Sequence, residues 1–361
     1  MSSSYGENFR ISIFGESHAA AIGVTMEGLP AGSPIDSGTL QAFLERRAPG
    51  RDAFSTSRRE ADAPEFLCGV KNGVATGAPI TAIIRNADTR SNDYASLANV
   101  PRPGHADYPA EVKFGGFQDR AGGGHFSGRL TAPLVAAGAI VASALAQKGI
   151  VIGTHIHTLA QIKDRAFQDL NEDIEVLKTR LFPVLDASAA KQMQSAIEDV
   201  ANDGDSVGGI LETAVTGLPA GVGEPWFDTV EGVLSHALFS IPAIKGVEFG
   251  AGFGFASMRG SEANDPFSVE NGQIRTATNH NGGINGGITN GMPVLFRCAV
   301  KPTPSIFLPQ TSVDAQTMRE ETLELKGRHD PAIIHRARAV VDAVTALVLY
   351  DLLAQRFGTD F

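Results

Sequence analysis

One apolar stretch, from about Thr131 to Lys148, restricts the possible folds more than any other part of the chain. It reads TAPLVAAGAIVASALAQK, and it predicts a helix with alanine and glycine on several faces that ends at Gly149. A helix with so little polar surface has to lie in the interior, between other layers of secondary structure. Its most apolar part, 134–146, is shorter than the ~20 residues that cross a bilayer, so we expect a core helix and no membrane segment.

Strand-like stretches, helices and tight turns surround this segment. With 40 glycines and 19 prolines in 361 residues, we expect short elements joined by turns. The predicted strands are Phe9 to Phe14, a hairpin over 70–86 that turns at 75–77, Gly209 to Val215, Val247 to Met258, and Val294 to Val300. The predicted helices are one capped by Asp36 and ending at Arg46 and Arg47, two surface helices within 167–203 split at Pro183, one over 226–240, and one that runs from Asp330 to about Gln355. The strands come in groups, so we expect a single α+β domain over 1–361, with 279–291 outside regular structure.

Charge and cysteine content exclude several classes of function. The formal net charge is -10, which argues against general nucleic-acid binding because that needs a basic face. Cys68 and Cys298 have no Cys-x-x-Cys spacing and lie in apolar contexts, so we expect reduced core cysteines in a cytoplasmic protein. The first ten residues contain no apolar core of a signal peptide, which agrees with a cytoplasmic location.

Two histidines lie in segments shaped by glycine and proline. His18 follows the first strand through Gly15, and His105 lies in the segment RPGHADY over 102–108, which we interpret as a loop. With an ordinary pKa near ~6.5, each imidazole is suited to donate or accept a proton at neutral pH. The alternative for each is a structural histidine bonded to a nearby carbonyl. No further ligand stands at suitable spacing, so we expect no metal site.

Many arginines and two glycine-rich segments point to an anionic ligand. The arginines in or beside loops are Arg46, Arg47, Arg51, Arg58, Arg59, Arg102, Arg120, Arg129, Arg328 and Arg336. Guanidinium groups bind carboxylate and phosphate in a bidentate way, although a solvated face would have the same composition. The glycine-rich segments, 122–124 and 282–287, suit anion cradles or flexible turns. These features predict an enzyme that binds a polyanion and uses histidine acid–base catalysis, and they do not identify a cofactor.

The ordered motifs resemble the chorismate synthase family over nearly the whole chain. They are FGESH at 14–18, RR-x-PG at 46–50, RRE at 58–60, RPGHADY at 102–108, GGG with S-x-R at 122–129, GDS-x-GG at 204–209, KGVEFG at 245–250, NH-x-GGI-x-GGI at 279–288, KPT at 301–303 and GRHDP at 327–331. The resemblance implies a β-α-β sandwich, in which antiparallel sheets flank a helical core layer, and a homotetramer. It also implies 1,4-anti-elimination of phosphate from 5-enolpyruvylshikimate 3-phosphate to give chorismate, with reduced FMN and no net redox change.

The resemblance also implies residue roles. His18 would protonate the leaving phosphate, His105 would protonate the reduced flavin, and Asp330 would help the flavin to accept the ring proton. The side chains expected to grip the substrate are Arg47, Arg102, Ser127 and Arg129. The residues expected to contact the flavin are His125, Ser127, Ala243, Gly286, Lys301, Pro302, Thr303, Ser305 and Arg328. From its local sequence alone, Asp330 would instead be a helix N-cap.

The chain departs from the family pattern at a few positions. Ala53 replaces an arginine that the family associates with NADPH, which remains a possible reductant here. His125 and Phe126 replace Arg-Ser at the turn that contacts the flavin, and Pro242 replaces an asparagine beside Ala243. Two alternatives are a flavin reductase or other oxidoreductase on the same scaffold, and an anion-binding protein that has lost the chemistry.

Overall fold

The computed structural model describes residues 3–50, 62–86, 99–325, 327, 329–359 and 361. The α-helices in these ranges are α1 (Ser37–Arg47), α2 (Asp107–Phe114), α3 (Thr131–Gln147), α4 (Leu170–Thr179), α5 (Ala187–Asn202), α6 (Val230–Phe239), α7 (Gly260–Ala263) and α8 (Ile334–Phe357). The strands are β1 (Ser4–Tyr5), β2 (Arg10–Gly15), β3 (Ala21–Glu27), β4 (Glu65–Cys68), β5 (Val70–Lys71), β6 (Val74–Ala75), β7 (Ile80–Arg85), β8 (Val151–Leu159), β9 (Ile162–Lys163), β10 (Gly209–Thr216), β11 (Ile244–Phe249), β12 (Phe267–Glu270), β13 (Gln273–Thr276), β14 (Ile284–Asn285), β15 (Ile288–Thr289), β16 (Val294–Val300), β17 (Gln310–Asp314) and β18 (Arg319–Leu323).

Two five-stranded antiparallel sheets enclose a layer of helices. The first sheet has the order β1-β2-β3-β7-β4, and the second has the order β11-β16-β10-β8-β9. Helix α3 contacts β2, β3 and β7 of the first sheet, whereas α8 contacts β8 and β10 of the second. Helices α1 and α6 pack against α8 in the same layer. The architecture is therefore the predicted β-α-β sandwich, and the α+β prediction is confirmed.

The central helix begins and ends where its sequence indicates. Helix α3 spans Thr131–Gln147, and Gly149 follows it with a left-handed φ of 76°. A Cβ on Gly138 would lie 2.4 Å from the Ala343 Cβ and 2.5 Å from the Ala343 carbonyl oxygen. Glycine is therefore required where α3 crosses α8. By length and composition the segment Gly128–Gln147 could cross a membrane, but 72% of its apolar 18-residue window is buried in the fold, which makes it a core helix.

Several local predictions agree with the structure. Asp36 caps α1, because its carboxylate accepts a hydrogen bond from the Gly38 amide at 2.9 Å. The strands over 209–215 and 294–300 are β10 and β16, and the two surface helices on either side of Pro183 are α4 and α5. These predictions depended on alternation and capping, which act within a few residues.

Other local predictions were wrong. The hairpin over 70–86 is not formed as expected: β5 and β6 turn at Asn72 and Gly73, and β7 inserts between β3 and β4. The last helix begins at Ile334 instead of at Asp330, because the Asp330 carboxylate pairs with Arg336 at 3.0 and 3.1 Å. In the first place a strand from elsewhere in the chain replaces the local partner, whereas in the second Asp330 pairs with a side chain six residues ahead, within the first turn of the helix.

Three further differences concern shorter segments. The segment over 102–108 is not a loop throughout, since α2 begins at Asp107. The strand predicted to reach Met258 ends at Phe249 and a 3₁₀ turn follows, while 279–291 contains the short pair β14 and β15. Cys298 is buried in β16 as expected, but Cys68 is exposed, because it lies at the end of β4.

Candidate active site

His18 is oriented by the serine that precedes it. The Ser17 side chain is buried, and its hydroxyl donates to the Ala121 carbonyl at 3.1 Å. The same oxygen lies 3.1 Å from His18 Nδ1. Because the hydroxyl has only one proton, it accepts from Nδ1–H, which makes Nε2 the basic nitrogen of the neutral ring.

The glycine-rich turn lies between the two predicted catalytic histidines. Gly122, Gly123 and Gly124 have φ values of 60°, 87° and 53°. A Cβ on Gly122 would lie 2.0 Å from His18 Cε1, and a Cβ on Gly123 would lie 3.2 Å from His105 Cε1. The two rings therefore approach neighbouring residues of one turn, although 87 positions separate them in the sequence. Successive left-handed glycines also direct backbone N–H groups into a concavity that favours anions.

His105 belongs to a compact charged network at the start of α2. Its Nδ1 lies 2.6 Å from Asp107 Oδ1. The Arg102 guanidinium donates to both carboxylate oxygens of Asp107 at 2.8 Å, and the Arg102 backbone amide adds a third bond at 3.0 Å. Burial alone would raise the pKa of Asp107, but the bonds from Arg102 and His105 hold that pKa below its usual range.

The segment after β16 approaches the same region. Lys301 Nζ donates to the Gly104 carbonyl, and burial lowers the pKa of Lys301, with a smaller effect from the charge of Lys245. The Lys301 amide donates to the Ala243 carbonyl at 2.9 Å, which places Ala243 beside this segment. The buried Thr303 hydroxyl has no hydrogen-bond partner among the described residues. An unpaired buried hydroxyl is costly, so a ligand that bonds to it would bind favourably.

Pro302 and Ser305 lie in the same segment as Lys301, and His329 precedes Asp330. A Cβ on Gly208 would lie 2.9 Å from Pro302 Cδ, and Ser305 is buried. The His329 ring packs against Phe307 with centroids 5.2 Å apart. Burial, and secondarily the charge of nearby Arg102, lowers the pKa of His329. The charge of Arg102 therefore acts on the segment that carries Asp330.

Two of the predicted substrate-binding arginines share a buried carboxylate. Arg47 and Arg129 both pair with Asp62, and all three residues are at most 5% exposed. Burial lowers the pKa of Arg47 to about 10, against the opposing effect of Asp62. Burial would raise the pKa of Asp62, but the two arginine charges outweigh it and lower that pKa. Arg47 also donates to Thr131 Oγ1 at 3.0 Å, so the pair lies directly under the start of α3.

The other predicted contacts have local roles in this structure. The His125 ring lies 2.9 Å from the Gly15 carbonyl and 2.9 Å from the Ser3 hydroxyl, which ties the glycine turn to the first sheet. The Ser127 hydroxyl caps the turn before α3 by accepting from the Arg129 amide at 3.3 Å. Arg328, like Arg51, Arg58 and Arg59, lies outside the described residues.

Gly286 does not lie with the other predicted flavin contacts. The loop that contains it joins the start of β16, since the Leu295 amide donates to the Gly282 carbonyl, whereas Lys301 follows the end of that strand. The seven residues of β16 separate the two ends by about 20 Å at the usual rise per residue. Within one chain, Gly286 is therefore remote from Lys301.

Comparison with known proteins gives the same family as the motifs. The family model described as chorismate synthase matches residues 9–354. The chain belongs to the chorismate synthase family.

Its relatives match over almost their full length. Proteins named chorismate synthase from Thermococcus gammatolerans, Dehalococcoides mccartyi and Methanosarcina acetivorans are 47%, 46% and 45% identical, over 97%, 98% and 96% of this chain and 97%, 96% and 94% of theirs. A crystal structure of chorismate synthase is 28% identical, with a TM-score of 0.77 over 99% of this chain and 95% of that one. Members of the chorismate synthase family use reduced FMN and act on 5-enolpyruvylshikimate 3-phosphate.

Sequence reasoning missed three residues that organise the site. Ser17, Asp62 and Asp107 each bond directly to a predicted catalytic or substrate-binding side chain. Ser17 and Asp107 stand one and two positions from their histidines, so their spacing was a usable signal. Asp62 stands 67 positions from Arg129, and no sequence pattern indicates that pairing.

Proposed function

We propose that the concavity at Gly122 to Gly124 is where 5-enolpyruvylshikimate 3-phosphate loses phosphate and a ring proton to give chorismate. The observation that carries the proposal is the position of His18 and His105, which approach neighbouring residues of this turn from two segments. Two imidazoles beside an anion-binding turn suit a substrate whose leaving group is a phosphate.

His18 is proposed as the acid for the leaving phosphate. As the imidazolium, it keeps one proton on Nδ1 in the bond to Ser17 and carries the other on Nε2. Transfer of the Nε2 proton to a phosphate oxygen makes the phosphate a better leaving group, since less negative charge then builds up on it. Ser17 keeps the ring orientation fixed during the transfer.

Reduced FMN fits the groups on the other side of the concavity. The Thr303 hydroxyl lacks a partner among the described residues, and Lys301, two residues earlier, provides an ammonium at the Gly104 carbonyl, which suits a ligand that carries hydroxyls and a phosphate. Pro302, Ser305 and Ala243 would line the same seat, with Ser127 and His125 at the adjoining turn. When bound, reduced FMN supplies electron density for the departure of phosphate and recovers it when the ring proton leaves.

His105 and Asp330 are proposed to handle protons on the flavin side. As the imidazolium, with one proton on Nδ1 directed to Asp107, His105 would carry on Nε2 the second proton, the one that keeps a reduced flavin protonated. Asp330 is held by Arg336, whose Nε also donates to the Arg47 carbonyl at 2.9 Å, and its carboxylate would assist removal of the ring proton. Arg328, next in sequence to His329, is proposed to contact the flavin.

The arginines supply positive charge for a substrate that carries a phosphate and two carboxylates. Arg47 and Arg129 together carry two positive charges against one negative charge on Asp62, so the buried group is net positive by one. Arg102 is proposed to reach the substrate from beside His105, and Ser127 from the turn before α3. A net positive group of low exposure attracts anions more strongly than the same charges in water.

Phosphate release with chemically reduced FMN under anaerobic conditions tests the proposal. His18→Ala and His105→Ala should each slow turnover by about 10²–10⁴-fold, the usual effect of losing a general acid. His236→Ala is the matched control, because that histidine is exposed on α6 and its ring packs against Tyr5 instead of the glycine turn. Wild-type rates in both site variants would refute the roles of the two histidines.

NADPH is proposed as a source of electrons for the flavin. Ala53, which replaces the arginine that the family associates with NADPH, lies outside the described residues, as does nearby Arg51. Anaerobic titration of the protein and FMN with NADPH, followed by flavin absorbance, tests this. Flavin reduction without added reductase would support it, and reduction only with an external reductase would refute it. Continuous NADPH consumption without phosphate release would instead indicate the flavin oxidoreductase alternative.

We also propose that the protein forms a homotetramer in which β12 and β13 contact another copy. Phe267 and Val269 are 75% exposed and Ile274 is 70% exposed, and Val269 lies directly opposite Ile274. Such an apolar face on a small hairpin marks an interaction surface. In such an assembly, Gly286 of one copy would contact the flavin bound at Lys301 of a neighbouring copy.

Light scattering during size-exclusion chromatography tests the assembly. The double variant Val269→Lys and Ile274→Lys should elute with a smaller mass than the wild type, because it places charge on the apolar face. Met318→Lys is a control at another apolar residue, one that is 83% exposed. An unchanged mass for the double variant would refute this interface.

A cytoplasmic location is proposed on the chemistry of the cysteines. Both Cys68 and Cys298 are free, and a disulfide-poor chain is typical of a reducing compartment. Cell fractionation that placed the protein elsewhere would contradict the proposal.

A further inference from the structure

We infer that Asp107 is a positioning residue that holds the proton of neutral His105 on Nδ1, so that Nε2 faces the glycine turn. The Asp107 Oδ1 atom lies 2.6 Å from His105 Nδ1. An ionised carboxylate can only accept hydrogen bonds, so the proton in this contact belongs to the imidazole. The inference rests on the proposed role of His105 as an acid, since a ring that keeps its first proton on Nδ1 takes up on Nε2 the second proton that it would donate.

Arg102 fixes the carboxylate that performs this function. Its Nε and backbone amide both bond to Asp107 Oδ2, and its Nη2 bonds to Oδ1. Together with His105, these bonds occupy both oxygens and define the plane of the carboxylate. Arg102 Nη2 also lies 3.1 Å from His105 Nδ1, but both nitrogens carry protons directed to the same oxygen. Arg102 is 8% exposed, which limits the motion of the group.

The geometry leaves Nε2 as the ring nitrogen that faces the site. The position of a Cβ on Gly123 is 3.5 Å from Nε2 and 3.2 Å from Cε1, so this edge of the ring lines the turn. Other charged or titratable groups near the loop, among the described residues, include Arg102, Lys301 at the Gly104 carbonyl, His18 across the glycine turn, and His329 with Asp330 near Arg102. None of these groups is bonded to the His105 ring as a carboxylate, whereas Asp107 is.

Asp107 also has a purely structural role that has to be separated from this one. It is the first residue of α2, where a negative charge is favourable at a helix N-terminus. That effect concerns the stability of α2 and does not depend on which nitrogen of His105 carries the proton. A measurement of the tautomer therefore distinguishes the two roles.

The test is Asp107→Asn, read by ¹⁵N chemical shifts of the histidine rings in ¹⁵N-histidine-labelled protein. Arg102 donors would hold the amide oxygen of the variant, which turns its NH₂ group toward His105 Nδ1. We therefore expect the neutral ring to change from the Nδ1–H form to the Nε2–H form. His105→Gln identifies the resonance by its loss. An Nδ1–H tautomer in the variant, or an Nε2–H tautomer in the wild type, would overturn the inference without any assay of activity.

Kinetics provide the second measurement. Asp107→Asn should lower kcat by about 10²-fold, the lower end of the effect of losing a general acid, with KM for the substrate changed by less than about threefold. Asp107→Glu should restore part of kcat. Asp36→Asn, which keeps the cap of α1, is the matched helix-terminus control and should behave as wild type.

The double variant separates failure of this inference from failure of the proposed function. If Asp107 acts through His105, then Asp107→Asn should have little further effect in a His105→Ala background. A full additional loss there would refute the inference and leave the role of His105 intact. A wild-type rate in His105→Ala alone would refute the role of His105, whatever the tautomer.

Discussion

Replacement of Asp62 by asparagine should destabilise the protein by about 3–5 kcal/mol, the usual cost of removing one partner from a buried ion pair. Asp62 is the carboxylate shared by Arg47 and Arg129, whose side chains are 5% and 3% exposed. Asparagine has nearly the same shape, so packing is kept and the change removes charge. The amide NH₂ of the asparagine would also point toward one of the two guanidinium groups. A guanidinium has only hydrogen-bond donors, so this NH₂ would face a donor and remain without an acceptor there.

The predicted loss of stability is large because the Asp62 ion pairs are buried. An exposed ion pair therefore provides a matched control. Glu65 pairs with Arg85 on the surface, where the two side chains are 52% and 67% exposed. Glu65→Gln removes the same kind of charge from a solvated pair, for which we expect less than about 1 kcal/mol. The comparison separates the cost of removing the carboxylate from two buried arginines from the general effect of losing a carboxylate.

The assay is urea unfolding at pH 7, followed by circular dichroism and by a second spectroscopic probe. A two-state unfolding free energy is fitted only if both probes give the same transition. Asp62→Asn should lower the midpoint markedly, whereas Glu65→Gln should leave it nearly unchanged. An Asp62→Asn protein whose unfolding free energy lies within about 1 kcal/mol of wild type would refute the reasoning. It would show that water or a rearrangement replaces the carboxylate as partner of the two arginines.

Three further predictions concern the core. Gly138→Val should give unfolded or insoluble protein, measured by yield and thermal melting, because its side chain would collide with the backbone of α8. Asp351→Ala should lower the unfolding free energy by about 1–3 kcal/mol in urea, because this buried carboxylate accepts three backbone amides of residues 7–9. The pKa of His155 is raised because its bonds to Asp164 and Glu212 outweigh the opposing effect of burial. Its contribution to stability should therefore be complete below about pH 6.5 and fall as pH rises through the folded pKa. When the wild type and a His155→Gln variant are unfolded in urea from pH 6 to 9, the variant should lack this decline.

Part of the fold and site could be predicted from sequence. The interior position of α3 follows from its composition, because a helix with apolar residues on every face cannot border water. The cap at Asp36 follows from its chemistry over two residues. The two histidines could be selected as candidates because glycine and proline shape the segments around them, and the motif order gave the family.

The tertiary structure decided which charges meet. Asp330 looks like a helix cap in the sequence, but it pairs with Arg336 and the helix begins at Ile334. Asp62 unites two arginines that stand 15 and 67 positions away. For Asp62 the physical reason is that caps and periodicity act over a few residues, whereas a buried ion pair depends on which distant segments the packed layers bring into contact. The sequence by itself therefore determined the helical core and the family, and only the assembled sandwich determined the partners that orient its catalytic candidates.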